Sequence, residues 1–154
     1  MQPLAPELML AFEVRAEVGP PLELGQVAHG RRRIVPIVGG TFEGPDIKGR
    51  VLAGGADWQV IRGDGFTELD TRYTLQTDRE QLVYVQNRGM RHAAPDVMRR
   101  LLEGESVDPA LVYFGTTPTF ETEAPDLQWL TRSIFVGTGE RHPAAVVIRF
   151  WKLA

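Results

Sequence analysis

Residues 54–73, which read GGADWQVIRGDGFTELDTRY, carry charged side chains at positions that are otherwise typical of strands. Asp57, Asp70 and Arg72 are residue types that can perform acid–base chemistry without a cofactor. An arginine holds a carboxylate or enolate oxygen through charge-assisted hydrogen bonds. An aspartate whose pKa is raised by burial or by a neighbour serves as a general base or acid. The alternative is an ion-pair network with a purely structural role, and the residue types alone favour neither.

The arrangement of these residues depends on a predicted β-hairpin whose turn is Asp64-Gly65. This dipeptide favours a two-residue loop, because both turn positions need positive φ. Such a loop places Asp57 opposite Arg72, and cross-strand partners share a face of the sheet. The predicted polar face carries Asp57, Gln59, Ile61, Glu68, Asp70 and Arg72, and the apolar face carries Trp58, Val60, Leu69, Tyr73 and Leu75.

The next predicted strand is residues 81–92. The length of the turn before it decides which of its side chains lie on the polar face. A two-residue or four-residue turn after Thr77 adds Asn87 and Arg91 to the polar face, whereas a three-residue turn switches the faces. If the polar face meets solvent, an Asp–Arg pair there contributes about 0–1 kcal/mol. If the strands close into a barrel, the same face lines a lumen with a few convergent polar groups, as in ligand-binding barrels.

Other residues extend the candidate site without sharpening its chemistry. Glu121, in the segment PTFET, is a further candidate carboxylate, with a solvent-facing strand position as the alternative. Trp58, Tyr73, Tyr113 and Phe120 could line a pocket for an aromatic ligand, although ordinary core packing also explains them. The three histidines lack metal-ligand spacing, and no glycine-rich phosphate loop occurs. We therefore expect neither a metal nor a cofactor.

The composition narrows the classes of function. The chain has 154 residues, no cysteine and a net charge of −3, which excludes thiol catalysis and argues against nucleic acid as a partner. The only basic run, residues 31–33, is interpreted as a solvated strand end, with an anion site as the alternative. No apolar run reaches the roughly 20 residues that span a bilayer. Because the N-terminus lacks the pattern of a signal peptide, a cytoplasmic location and no membrane partner are the default expectations.

Apolar and polar residues alternate with period two over much of the chain, which predicts half-buried strands. Pro36 interrupts the second strand and predicts an edge or a bulge there. Helix is scarce: one is predicted from Pro95 to Glu103, and a short turn of helix around residues 126–130. A single all-β domain over residues 1–154, an antiparallel barrel or sandwich, follows. The predicted strands are residues 8–18, 31–43, 47–53, 57–62, 66–77, 81–92, 111–114, 118–123, 132–140 and 144–153.

Several phrases together resemble one family, domain-of-unknown-function family 3237, over nearly the whole chain and in order. The phrases are HGRRRIVPIVGGTFEGP, KGRVLAGGADWQ, DGFTELDTRYTLQTD, VQNRGMR, PTFET and WLTRSIFVGTGER. The resemblance implies a single antiparallel up-and-down β-barrel similar to the calycins and allene oxide cyclases, with one or two short helices. The family pattern maps onto Gly54, Gly55, Asp57, Trp58, Asp70, Arg72, Tyr73, Asn87 and Gly89. Where the family often has Asp-Gly, this chain has Asp78-Arg79-Glu80, which leaves the register of that turn open.

The resemblance favours a polar lumen but supplies no mechanism, because fold does not imply function. We expect a barrel that binds a small molecule. If it is an enzyme, it would isomerise, cyclise, hydrate or dehydrate a small oxygenated compound of aromatic or polyketide-like character. The alternatives are a carrier or sensor of such ligands, and a structural oligomerisation module. Because barrels of this type often associate, we also expect a homo-oligomer, a dimer or higher. The candidate catalytic residues are Asp57, Asp70, Arg72 and Glu121, and the candidate ligand-binding residues are Trp58, Tyr73, Asn87, Arg91, Tyr113 and Phe120.

Overall fold

A computed structural model describes all residues from Met1 to Ala154. It contains ten strands, one α-helix and two short 3₁₀ helices. The strands are β1 (Leu8–Val18), β2 (Leu22–Val27), β3 (Gly30–Glu43), β4 (Lys48–Val51), β5 (Gly55–Ile61), β6 (Thr67–Thr77), β7 (Leu82–Ala93), β8 (Val112–Glu121), β9 (Phe135–Arg141) and β10 (Ala145–Leu153). The helix α1 spans Pro95–Leu102, and the 3₁₀ helices span Pro109–Leu111 and Pro125–Leu130. No helix is long and apolar enough to cross a membrane.

Eight of the strands close an antiparallel barrel in the order β1-β10-β9-β8-β7-β6-β5-β3, with β3 pairing back onto β1. The other two lie outside this ring. Strand β2 extends the ladder of β3 beyond the end of β1, and β4 pairs with β3 and β6 beyond the end of β5. The predicted all-β barrel is therefore confirmed.

Two details of the strand prediction differ from the structure. Residues 111–114 and 118–123 were expected as separate strands, but β8 runs continuously through Gly115 and Pro118. Strand β2 was not predicted, because its exposed residues LELGQV show no regular alternation. Pro36 does not lie at an edge, since β3 pairs there with β5. The ladder between β1 and β3 shifts register close by, between Glu17 and Val18, which agrees with the alternative of a bulge.

The loop between β5 and β6 has three residues, Gly63 to Gly65, rather than the predicted two. The backbone N–H of Arg62 donates to Phe66 O at 2.8 Å, and the N–H of Gly65 donates to Arg62 O at 3.1 Å. Only Gly65, at φ +88°, is left-handed. A type I turn followed by one left-handed residue is the usual form of a three-residue loop.

This loop moves the register of the hairpin by one residue. Asp57 pairs with Thr71, and Arg72 pairs with Ala56. A shift of one residue turns a side chain to the opposite face of the sheet. The predicted polar face is therefore wrong: Asp70 and Arg72 lie on the face opposite to Asp57.

The loop between β6 and β7 has the same form. The N–H of Thr77 donates to Gln81 O at 2.9 Å, the N–H of Glu80 donates to Thr77 O at 2.9 Å, and Glu80 is left-handed at φ 63°. As a result Asn87 pairs with Thr71. Because Thr71 also pairs with Asp57, Asn87 shares a face with Asp57. A three-residue turn was expected to switch the faces, but the shift in the first hairpin cancels this second one.

One half of the barrel interior is filled by an aromatic core. Its phenylalanine rings meet mainly edge to face, with centroids 5.1–5.8 Å apart, the arrangement that aromatic quadrupoles prefer. The second 3₁₀ helix adds Leu127 and Leu130 to this cluster, and Trp129 packs against it. The phenylalanines are Phe12, Phe42, Phe120, Phe135 and Phe150. The other half of the interior is therefore the only part of the lumen left for polar groups.

Candidate functional site

A cavity occupies the half of the barrel that the aromatic core leaves unfilled. Its volume of about 40 Å³ is room for a few water molecules. One side is apolar, with side chains from β1, β3, β6, β8 and β10, and the other side is polar, with side chains from β5 to β9. The polar lining consists of Asp57, Gln59, Thr71, Tyr73, Asn87, Arg91, Thr116 and Arg141.

Asp57 is the only carboxylate in this lining. Gln59 Nε2 donates to its Oδ2 at 2.8 Å, and the backbone N–H of Asp70 donates to its Oδ1 at 3.2 Å. Burial raises the pKa of Asp57, although these hydrogen bonds and the charge of Arg91 oppose the shift. A carboxyl group of this kind is a candidate for proton transfer.

Three arginines surround this single carboxylate. Arg91 is 3% exposed, and its Nε has no hydrogen-bond partner. Burial lowers the pKa of Arg91 to about 10, against the opposing charge of Asp57, so the guanidinium remains charged at neutral pH. Arg141 lines the same cavity. Arg33 is buried nearby, close enough for its charge to act on Asp57, Arg91 and Arg141. Its Nη1 also lies 3.8 Å from Oε1 of Glu23, so this third arginine is partly paired. The interior therefore carries an excess of positive charge.

Several polar atoms of the cavity have no hydrogen-bond partner in the protein. They include acceptors and hydroxyls that are fully buried: Gln59 Oε1, Tyr73 Oη, Asn87 Oδ1 and Thr116 Oγ1. A buried polar group without a partner costs roughly 1–3 kcal/mol, and such groups gather where a ligand or water supplies the missing bond. Burial also raises the pKa of Tyr73, so its hydroxyl stays protonated and able to donate.

Four of the ten predicted site residues meet in this cavity: Asp57, Tyr73, Asn87 and Arg91. Asp70 and Arg72 lie instead on the outer wall, where Arg72 Nη2 is 3.3 Å from Asp70 Oδ2. Their side chains are 33% and 46% exposed. Burial raises the pKa of Asp70, but the hydrogen bond and charge of Arg72 outweigh it and lower the pKa. Asp70 and Arg72 thus form a surface ion pair, separate from Asp57.

The other four predicted residues lie apart from the cavity. Glu121 is exposed at the end of β8, and Trp58 is exposed on the outer wall. Phe120 belongs to the aromatic core. Tyr113 is 58% exposed and stacks on His92, with ring centroids 5.0 Å apart. Of the four aromatic candidates, only Tyr73 therefore lines the cavity.

Sequence reasoning missed the roles of Gln59, Thr71, Thr116, Arg33 and Arg141 in and around the cavity. For Arg33 a signal was available, because the series Arg33, Val35, Ile37 alternates with more exposed neighbours on β3. The basic run at 31–33 hid this signal, since three successive arginines suggest a solvated strand end. Thr116 and Arg141 carried no comparable signal.

Comparison with known proteins agrees with the fold. The chain matches the model of the family described as "Protein of unknown function (DUF3237)" over residues 6–153. The chain belongs to the DUF3237 family. A relative from Rhodopseudomonas palustris, UPF0311 protein RPA1785, is 43% identical over 92% of this chain and 93% of its own length. The crystal structure of RPA1785 superposes with a TM-score of 0.94, covering all of both chains at 41% identity.

Two further solved structures share this barrel. A β-barrel-like protein from Acinetobacter baumannii is 39% identical, has a TM-score of 0.86 and covers 99% of both chains. An enzyme from Penicillium herquei has a TM-score of 0.74 and covers 100% of this chain and 98% of its own, at 20% identity. That identity supports a shared fold alone.

Proposed function

We propose that the barrel binds a small organic anion in its interior and that Asp57 exchanges a proton with it. The observation that carries the proposal is a cavity lining with two arginines, Arg91 and Arg141, and one carboxylate, Asp57. Burying unpaired charge is costly, and a carboxylate or enolate oxygen would complete the hydrogen bonds that Arg91 lacks. Guanidinium groups suit such oxygens because their donors are arranged as a fork.

The lining supports a ligand with one polar and one apolar side. Opposite the polar groups the cavity is walled by aliphatic side chains, among them Val14, Ile37 and Ile148. An anionic head would lie toward Arg91 and Asn87, and hydrocarbon would lie against this wall. The ligand class is thus a carboxylate, or a carbonyl compound that forms an enolate, with a short apolar part.

The reaction supported by these groups is acid–base chemistry. A carboxyl group whose pKa is raised by burial takes or gives a proton near neutral pH more readily than an exposed one. A neighbouring guanidinium stabilises the negative charge that forms on the ligand oxygen when the proton leaves carbon. Isomerisation, aldol-type cyclisation and the elimination of water from a carbonyl compound begin with such a step, and the addition of water ends with its reverse.

Binding is tested by titrating acetate, pyruvate and benzoate into the protein and into two variants. Arg91→Met removes the charge inside the barrel, whereas Arg88→Met removes an exposed charge on the same strand. We expect saturable binding of at least one carboxylate, unchanged in Arg88→Met and weakened about tenfold or more in Arg91→Met, given the strength of a charge-assisted hydrogen bond. Equal binding by both variants, or no binding to any protein, would contradict the proposal.

Proton transfer is tested separately from binding. If pyruvate binds, the wild-type protein in deuterated buffer is expected to speed deuterium incorporation into the pyruvate methyl group, and Asp57→Asn is expected to bind without this effect. A carrier would bind pyruvate and leave its exchange rate at the buffer value. That result would remove Asp57 from the mechanism while keeping the binding site.

A further inference from the structure

The barrel wall has a gap between β8 and β9. These strands pair at two positions only, Gly115 with Thr138 and Thr116 with Gly137. Strand β8 continues along β7 as far as Val112, and β9 continues along β10 as far as Arg141. Beyond the last pair, β8 and β9 therefore diverge without backbone hydrogen bonds between them.

A groove of about 780 Å³ lies on the outer surface at this gap. Its lining includes side chains of the outer face, such as Tyr113 and Glu140. It also includes Phe114 and Thr116, which line the interior cavity as well. Two lumen-facing residues are thus also exposed to the outer groove. Only their side chains separate the groove from the cavity, and this layer is called the partition.

The ring of Phe114 is the main part of this partition. It is half-buried and lies against Gly139, where an added Cβ would come within 2.6 Å of the ring. Because residue 139 has no side chain, the Phe114 ring can occupy the gap. The Arg91 guanidinium lies 5.7 Å from the ring centroid, so the same ring borders the charged side of the cavity.

We propose that ligands enter the interior through the gap between β8 and β9, and that Phe114 is the gate. The ring is held by packing and by the nearby cation, so its rotation breaks no backbone hydrogen bond. Partly exposed side chains change rotamer rapidly. The inference rests on the proposed function in taking the cavity as the binding site. The gate also predicts the shape of the ligand. An anionic head would enter the cavity, and a larger apolar or aromatic body would lie in the groove, which Val112, Tyr113 and Val136 help to line.

The competing route is the end of the barrel beside Arg33 and Arg141. The opposite end is filled by the aromatic core and the second 3₁₀ helix. The two possible routes differ in what a change at Phe114 does. Entry past Arg141 would leave the rate of access independent of the size of residue 114.

Access is measured with a thiol placed inside the barrel, because the chain has no cysteine of its own. Thr71→Cys puts a thiol of similar size in the cavity lining, and Thr119→Cys puts one on the exposed outer wall. The probe is iodoacetamide, a small neutral alkylating reagent. Its rate at each thiol is compared in the Phe114, Phe114→Leu, Phe114→Ala and Phe114→Trp backgrounds.

We expect alkylation of the interior thiol to accelerate about tenfold in Phe114→Ala, to accelerate less in Phe114→Leu and to slow in Phe114→Trp. Alkylation at Thr119→Cys should stay the same throughout, and circular dichroism should confirm that each variant is folded. An interior rate that does not change across these backgrounds, or an interior thiol that never reacts, overturns the gate. Since iodoacetamide carries no charge, this result is independent of whether the cavity prefers anions.

Discussion

Asp57 and Asp70 show how neighbouring carboxyl groups acquire opposite properties from the two faces of one barrel wall. The two belong to adjacent strands, and the backbone of Asp70 even donates to the side chain of Asp57. Burial raises the pKa of Asp57, whereas the pairing of Asp70 with Arg72 outweighs its partial burial and lowers its pKa. The inner carboxyl group is therefore the one suited to proton transfer.

The pH dependence of stability distinguishes the two groups. Below an unfolded pKa of about 3.8 both aspartates are protonated in the unfolded chain. As the pH rises past this value, the unfolded chain releases the Asp57 proton before the folded protein does, so the folded state loses stability until its own raised pKa is passed. Relative to wild type, Asp57→Asn should therefore gain stability from acid toward neutral pH.

Asp70→Asn is the matched control, because the sign reverses for a lowered pKa. Ionised Asp70 stabilises the folded protein above pH 3.8, and this contribution is lost as the pH falls through its lower folded pKa. Asp70→Asn should lose stability relative to wild type as the pH rises. Urea unfolding of the three proteins between pH 3 and pH 7 measures both differences. A flat or falling curve for Asp57→Asn relative to wild type would show that its carboxyl group is not destabilised by burial.

At the scale of the elements, two hairpin loops decide which side chains enter the barrel. Both have three residues, with the last one left-handed: Gly65 in one and Glu80 in the other. Glycine accepts this conformation freely, whereas for other residues it costs roughly 1–2 kcal/mol. The β6–β7 loop is thus formed in spite of its local preference, because the strands on either side are fixed by pairing.

Exchanging the residue types at these positions tests this account of the loops. Glu80→Gly should raise the free energy of unfolding by up to about 1 kcal/mol, the relief of strain less the extra entropy of glycine in the unfolded chain. Gly65→Ala should lower it by about 1 kcal/mol or more through local backbone strain. No clash with the rest of the protein adds to this, since no atom beyond the chain neighbours lies within 4 Å of the added Cβ. Urea denaturation measures both changes, provided that the dependence of the unfolding free energy on urea concentration is the same in each protein. A loss of stability in Glu80→Gly would contradict the strained turn.

The loops also explain why the site was only partly predictable from the sequence. Alternation of apolar and polar residues predicts most of the strands, but it misses β2 and divides β8 into two. The face of each side chain depends on loop length, and Asp64-Gly65 fits both a two-residue and a three-residue loop. A choice between them moved Asp70 and Arg72 from the lumen to the outer wall. Barrel closure brings Arg141 into the cavity lining and Arg33 close to it. For Arg141 no local pattern reports this, and for Arg33 the only local signal is its position in step with Val35 and Ile37.

At the scale of the whole molecule, the barrel divides stability and chemistry between its two halves. One half is packed with phenylalanine rings and closed by the second 3₁₀ helix, which belong to the largest hydrophobic cluster of the protein. The other half holds buried guanidinium groups and polar atoms without partners, which reduce stability. Such groups persist where they serve binding, and the weakly paired wall between β8 and β9 lies beside this half.

The central claim is that the interior attracts anions, and the thiol of Thr71→Cys tests it directly. Iodoacetate and iodoacetamide are similar in size and differ in charge. We predict that the ratio of their alkylation rates is about tenfold higher at Thr71→Cys than at the exposed Thr119→Cys, because a positively charged cavity concentrates the anionic reagent. The ratio cancels differences in thiol reactivity, and Arg91→Met should reduce it. An equal or lower ratio at the interior thiol would contradict the claim.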